Sequence, residues 1–219
     1  MLCFIRVKVV VVNRLKYDPN HMIEKKVLEE NGAKLISFKK GDYIFRENTE
    51  AKFYYQILSG GVKMSHVNDS GNEFIQGFFG RKKSFGEPPL LIDMKYPADA
   101  ISVNNSKIYR LKKEVFLKIL RQNNTISMAY NILLSNRLFY KARMANGISS
   151  NSAEETILNL FNYLKYDIHD YETSKKMEIE LKRKDIAGML GISTETVIRT
   201  IKKIEKKGLL KIVDHKVYF

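Results

Sequence analysis

The sequence predicts an α+β chain in three parts: an N-terminal antiparallel β-roll, a long helix, and a C-terminal winged helix-turn-helix. Three observations predict it. From Leu35 to about Leu111, short β-prone runs alternate with turn residues, while residues 112–146 contain no glycine or proline and repeat apolar residues at steps of three and four. The third is "KDIAGMLGISTETVIRTIKKIEKKGLL", residues 184–210, which sets an alanine, a glycine turn and a capping hydroxyl where two crossed helices need them. The expected division is an extension over 1–21, the roll with flanking helices over 22–124, the long helix over 125–147 and the winged domain over 148–219.

Composition bounds the function. The 219 residues are 44% apolar, enough for one sizeable core or two smaller ones. Lys+Arg of 38 against Asp+Glu of 24 leaves a net charge of +14, which favours a polyanionic partner such as nucleic acid. A lone cysteine, Cys3, can form no internal disulfide and cannot ligate an iron–sulfur cluster, so a reducing, cytoplasmic setting fits. His21, His66, His169 and His215 are scattered without metal-ligand spacing, and neither a nucleophile with a recognisable base nor a glycine-rich nucleotide loop is present. Neither an enzyme nor a metal site is expected.

The N-terminal "MLCFIRVKVVVVNRL" is interrupted by Arg6 and Lys8 and is too short for a membrane span, which needs about 20 apolar residues. Two readings stand for it: an extra strand, or an extension upstream of a start at Met22. In the roll, "KLISFKKGDYIFREN", "KFYYQILSGGVKMSHV", "NEFIQGFF" and "ISVNNSKIYRL" are the strand-forming runs, and Gly41, Gly60, Gly61, Asp69-Ser70-Gly71 and Gly80 punctuate them.

Next comes a short helix ending near Asn123-Asn124, then a longer one from about Thr125. The longer helix carries Ile126, Tyr130, Leu133, Tyr140 and Met144 on one side, with Met128, Ile132, Phe139 and Ala142 on another. Two apolar sides need two partners, and the roll supplies one. Either the helix is sunk in its own domain, or it pairs with its copy in a homodimer. The second is the expectation, with Ile126, Tyr130, Leu133, Tyr140 and Met144 at the interface. Gly147 and the following serines and asparagines read as a hinge, and Ser152 with Glu155 has the form of a capping box.

Beyond the hinge the charge concentrates: residues 175–219 hold twelve basic side chains and six acidic ones. A first helix is predicted from about Arg183 to Leu190, with Ile186 and Leu190 inward and Ala187 small enough to let a second helix cross. Gly191 turns the chain and Ser193 caps the second helix, on which Val197, Ile201 and Ile204 face inward. Thr194, Glu195, Ile198, Arg199 and Lys202 are left facing out.

That outward set suits a DNA major groove. Arginine can donate twice to guanine, glutamate can accept from cytosine, and threonine can reach phosphate or a thymine methyl. Lys203, Lys206 and Lys207 add phosphate attraction, which positions without specifying. The plainer alternative makes Glu195 and Arg199 an i,i+4 ion pair on a solvated helix. Alanine, glycine turn, cap and inward triad together favour the groove. Arg183, Ser193, Thr194, Glu195, Thr196, Arg199, Lys202, Lys203 and Lys206 are therefore the candidate DNA contacts, and "LLKIVDHKVYF" reads as a two-stranded wing.

The order of roll, long helix, "SAEETILNL", "RKDIAGMLGISTETVIRTIKKIEKKGLL" and terminal hairpin resembles the Crp/Fnr family of bacterial transcription regulators from about residue 24 to 219. Ser193, Glu195, Thr196, Val197 and Arg199 match its recognition helix, with Glu195 and Arg199 at the base-reading positions. Thr194 departs from the arginine of the cyclic-AMP-binding members. The resemblance implies a cyclic-nucleotide-binding-like jelly roll, a homodimer on double-stranded DNA, and RNA polymerase as a further partner.

"SFGEPPLLIDMKYPADAISV" is similar to the family's phosphate-binding cassette, which places an effector pocket at Gly86, Glu87, Tyr96, Pro97, Ala98 and Arg137. In cAMP-binding members an arginine and a serine or threonine hold the cyclic phosphate, and the glutamate accepts from the ribose. Here Tyr96 and Pro97 replace that pair, and Arg137 and Leu138 stand where the long helix would meet the purine. The expectation is a regulator with no cofactor that does not answer to cAMP. The alternatives are a cyclic-nucleotide-responsive regulator, or a ligand-binding module whose basic end contacts protein.

Overall fold

The computed structural model describes residues 23–149, 152–168 and 176–219, without the side chains of residues 144, 146–149 and 166–168. The expected extension with Cys3 and His21, the centre of the hinge, and His169 lie outside the described residues, as does the side chain of Met144.

A short helix α1 (Lys25–Glu30) leads into strands β1 (Lys34–Phe38), β2 (Tyr43–Phe45), β3 (Phe53–Ser59), β4 (Val62–Val67), β5 (Glu73–Phe79) and β6 (Ser84–Phe85). After helix α2 (Pro88–Ile92) come β7 (Asp99–Ser102) and β8 (Ser106–Lys112). They pair as two four-stranded sheets, β1-β8-β3-β6 and β2-β7-β4-β5, whose recorded pairings are all antiparallel. Alternation aims Tyr55, Ile57, Phe85 and Ile108 from one sheet, and Val62, Met64 and Ala100 from the other, into one core, while Tyr54 on the opposite face meets Phe116 and Tyr130. The β4–β5 turn is set by Asn68, whose side-chain oxygen accepts from the N–H groups of Ser70 and Asn72. Helix α2 is absent from a reading based on β-prone runs. Pro88 and Pro89 start it, because a first-turn N–H has no carbonyl partner within the helix and proline has none to leave unpaired.

Helix α3 (Lys113–Gln122) lays Phe116 and Ile119 on the roll, and α4 (Asn124–Ser149) follows. Ala129 and Tyr130 are buried, and Ile126 and Leu133 pack on the roll core. The Tyr130 hydroxyl donates to that of Tyr54 at 2.6 Å, and Tyr54 donates to Gln56 at 2.6 Å. Further along, Tyr140 stacks on Tyr163 with ring centroids 3.5 Å apart and packs against the C-terminal core.

The side of the helix expected to meet a second copy also packs within the chain. Ile126, Tyr130, Leu133 and Tyr140 are engaged by their own chain, because a phenol buried beside aromatic rings needs an internal hydrogen-bond partner and Tyr130 has one in Tyr54. The outward side carries Met128, Leu138 and Phe139, the last two 70% and 67% exposed.

The C-terminal unit begins with α5 (Ala153–Asn162), where Ser152 accepts from the Glu155 N–H at 3.2 Å, and continues through a π-helical segment, Tyr163–Ile168. Strand β9 (Glu178–Ile179), helices α6 (Arg183–Leu190) and α7 (Thr194–Lys206), and strands β10 (Lys211–Val213) and β11 (Lys216–Tyr218) complete it. The wing is a three-stranded sheet in the order β10-β11-β9. Its turn, Asp214-His215, has both residues at positive φ, the conformation that closes a two-residue hairpin.

The two units also meet away from α4. Helix α6 lies on β5 so closely that a Cβ at Gly188 would stand 3.1 Å from the Glu73 carbonyl oxygen and from Ile75, which is itself buried. Lys63 pairs with Glu73 at 2.5 Å. Burial pushes the Glu73 carboxyl up, but bonds from Lys63 and Ser65 and the charges of Lys63 and Lys184 bring it below its ordinary value.

Candidate nucleic-acid interface

The helix pair is built from its turn outward. Gly191 sits at φ 65° and donates its N–H to the Ala187 carbonyl, a left-handed position at which a Cβ is unfavourable. Ala187 is buried beneath the crossing. Ser193, in extended conformation, accepts from the Thr196 N–H at 3.1 Å and donates to the Thr196 hydroxyl at 3.0 Å. At the start of α6 the Asp185 carboxylate accepts the Lys182 N–H at 3.3 Å.

Val197, Ile201 and Ile204 are fully buried or nearly so, with Thr200 beside them. Each such aliphatic side chain contributes about 1.5–3 kcal/mol by leaving water. The inward row fixes the rotation of α7, and rotation fixes what faces out. Glu195, Ile198, Arg199 and Lys202 are exposed, and Thr194 and Thr196 are partly so. Among the described residues no ion pair joins Glu195 to Arg199, so the i,i+4 alternative has no contact behind it.

Beside this face a cleft of about 510 Å³ opens between α7 and the wing, lined by Arg183, Ile198, Lys202, His215 and Lys216 among others. Arg183 donates to the His215 carbonyl at 3.3 Å, tying the first turn of α6 to the wing turn. His215 and Lys216 therefore share the surface of the recognition helix, which the candidate set left out. Their signal was the turn at Asp214-His215, but no local pattern registers the hairpin against α7.

The candidate lysines divide. Lys202 and Lys206 are exposed, whereas Lys203 and Lys207 pair with Glu154 of α5 at 3.2 and 2.5 Å. Hydrogen bonds from Lys207 and Lys203 hold the Glu154 carboxyl below its ordinary value. These two lysines thus brace the end of α7 against α5 in the free protein.

The second candidate region lies in the roll. Gly86 has φ 74°, and a Cβ there would come within 2.9 Å of the Phe45 ring. Tyr96 is buried, stacks on Phe45 with centroids 3.6 Å apart, and donates to the Phe53 carbonyl at 3.2 Å. Its phenol belongs to the aromatic core, and burial pushes its pKa up. Pro97 is exposed, and its carbonyl accepts from Gln76 at 3.4 Å; Ala98 is fully buried.

Glu87 has no accessible surface. The Ser84 hydroxyl donates to one carboxylate oxygen, and Arg137 Nη1 donates to the other at 2.9 Å. Arg137 Nη2 bonds the Ser84 carbonyl at 2.8 Å, and the guanidinium lies 5.2 Å from the centre of the Phe79 ring. Burial disfavours the arginine cation, but the neighbouring Glu87 outweighs it and raises the pKa. Leu138 points away, into solvent. The structure thus brings Gly86, Glu87, Tyr96, Ala98 and Arg137 around one part of the roll, with Pro97 at its rim.

Among the described residues no helix is long and apolar enough to cross a membrane. Comparison with known proteins agrees with the two-part build. Residues 35–123 match the cyclic nucleotide-binding domain model, and residues 155–218 match the Crp-like helix-turn-helix domain model. The chain is 26% identical over 166 residues to the cAMP-activated global transcriptional regulator CRP of Haemophilus influenzae, covering 74% of this chain and 72% of that one. It is 24% identical over 176 residues to the regulatory protein HlyX of Actinobacillus pleuropneumoniae, covering 80% and 72%. Among solved structures, FixK2 of Bradyrhizobium japonicum superposes with TM-score 0.70 at 18% identity over 84% of this chain and 91% of that one. The c-di-GMP-responsive regulator CLP of Xanthomonas campestris superposes at 0.67 and 20% identity, covering 84% and 92%.

The cap is open to a direct check. Ser193→Ala should destabilise the C-terminal unit by about 0.5–2 kcal/mol in denaturant titration, and Ser193→Asp should recover most of the loss, since aspartate also caps. Equal loss in both variants would show that the hydroxyl is not acting as a helix cap.

Proposed function

Because this chain belongs to the Crp/Fnr family of transcription regulators, we propose that it is a homodimeric, sequence-specific regulator that reads an inverted-repeat operator without cyclic AMP. The observation that carries the reading is the outward face of α7: Glu195, Arg199 and Lys202 exposed on a helix whose rotation is set by buried Val197, Ile201 and Ile204. Two such helices related by a twofold axis would meet half-sites about one helical turn apart. Phosphate contacts from Lys202, Lys206 and the wing would set the register, and RNA polymerase in the cytoplasm would be the further partner.

Pairing through α4 is supported by its unpartnered apolar side. Leu138 and Phe139 stand out from the helix beside small residues Ser135, Ala142 and Ala145, which would let a second backbone approach. Independence from cAMP is supported by the side chains around Glu87. Tyr96 and Pro97 offer no cation to a phosphate, the Tyr96 hydroxyl is committed to the Phe53 carbonyl, and Glu87 already bonds Ser84 and Arg137. Although one relative is named as cAMP-activated, its effector would find neither the arginine nor the serine or threonine hydroxyl that hold a cyclic phosphate.

Selection from a random duplex pool should return a two-fold symmetric motif. On that motif Arg199→Ala should lose about 1–3 kcal/mol and relax preference at one base pair of each half-site. Lys206→Ala should weaken all duplexes alike and flatten the salt dependence. An unchanged base preference in Arg199→Ala would remove the assigned readout.

Sedimentation should give a dimer for the unmodified chain and a monomer for Leu138→Glu/Phe139→Glu, with operator affinity lower by about 10²–10⁴-fold as linkage of the half-sites is lost. A proven monomer with full affinity would defeat the dimer reading.

Millimolar cAMP should leave both melting temperature and operator affinity unchanged. A ligand at about 100 times its dissociation constant would stabilise by about 2.7 kcal/mol, a shift well within reach of thermal melting. Such a shift, abolished by Glu87→Ala, would restore cyclic-nucleotide control.

A further inference from the structure

Arg137 spans a boundary that its neighbours on the helix do not. It starts on α4, and its two guanidinium arms end on Glu87, just ahead of α2, and on the carbonyl of Ser84 in β6, at 2.9 and 2.8 Å. Both Glu87 oxygens are thereby engaged from within, one by this arginine and one by the Ser84 hydroxyl. The same guanidinium lies near the Phe79 ring of β5, the strand on which α6 rests through Ile75 and Gly188. A single side chain, only 22% exposed, therefore touches the cassette-like loop and the strand that carries the first helix of the DNA-facing unit.

Resting on the regulator reading above, we propose that Arg137 is a built-in replacement for an effector. Its guanidinium links the roll to α4, and through β5 to α6, holding the two recognition helices at the operator spacing. It acts as a positioning residue and touches no base. A planar fork is required, because two bonds leave in parallel for a carboxylate and a carbonyl; an ammonium of similar reach is a point charge that cannot hold both in that geometry. The site is correspondingly selective. Whatever takes the place of this side chain must bring a cation to Glu87, so a guanidinium compound fits and a cyclic phosphate does not.

The test uses the full chain and the operator returned by duplex selection, at a temperature well below the melting point of every variant. Arg137→Gly should weaken specific binding at least about tenfold, equivalent to 1.4 kcal/mol, while leaving binding to unrelated duplex and its salt dependence unchanged. Millimolar ethylguanidinium should restore most of that loss, and ethylammonium at the same concentration should restore little.

Because removal of the arginine strands a buried carboxylate, Glu87→Met/Arg137→Met is the second variant. It removes both charges, so it should fold and dimerise yet still bind the operator weakly, with no response to ethylguanidinium. Wild-type operator affinity in this folded double variant would overturn the proposal while leaving the regulator reading intact. So would loss in Arg137→Gly that ethylguanidinium fails to reverse. Absence of any sequence-selective binding by the unmodified chain would instead sink the regulator reading, and this inference with it.

Discussion

A carboxylate with no surface in water needs a cation against it to remain charged, and the cation beside Glu87 comes from a different part of the chain. Pairs of this kind are a poor source of stability, because desolvating both ions consumes most of their attraction, and apolar replacements are often neutral or better. They are strict about geometry. Removing one partner leaves an unpaired buried charge, so the arrangement tolerates little movement of α4 over the loop that carries Glu87. Placing an ion pair at this junction thus spends little on folding strength and much on relative position.

Helix α4 is where that constraint is passed on. Its first turns lie in the roll core through Tyr130, its middle is fixed by Arg137, and Tyr140 then stacks on Tyr163 of the C-terminal unit. A second route runs from β5 to α6, where the missing side chain at Gly188 lets the helix backbone settle on Glu73 and Ile75. Two attachments at different points restrict rotation as well as translation, which a single hinge would not. Readout of two half-sites by rigid helices depends on such restriction, since the spacing between them is set by the DNA.

What was legible in the sequence was local. Gly191, Ser193 and the Val197, Ile201, Ile204 row specify the helix pair because each acts within a few residues of itself, and the outward face follows by subtraction. The roll strands were visible by their punctuation. Helix α4 was legible as a helix with two apolar sides, but periodicity is symmetric between them. Only the tertiary partner Tyr54 assigns Tyr130 inward and leaves Leu138 and Phe139 outside. The meeting of Glu87 with Arg137 is fifty residues long in sequence and carries no local mark. Strand β9 was missed for a related reason: it pairs through only Ile179 and Glu178, too short to show a period.

The split among the lysines bears on how recognition would proceed. Lys203 and Lys207 are held by Glu154, and Lys216 by Glu178 at 2.9 Å, all with their lysine side chains about half exposed or more. Ion pairs so open to water are worth about 0–1 kcal/mol each, so a phosphate backbone, with its much denser charge, can draw such a lysine away at small cost. The exchange would free Glu154 and Glu178 beside the duplex, where like charge opposes approach. Net electrostatic attraction would therefore be smaller than the count of basic residues suggests, and on the proposed reading a larger share of discrimination would fall on Glu195 and Arg199. For a helix held at fixed rotation by three buried aliphatic side chains, that is the division expected of a reader whose discrimination would come from register more than from charge.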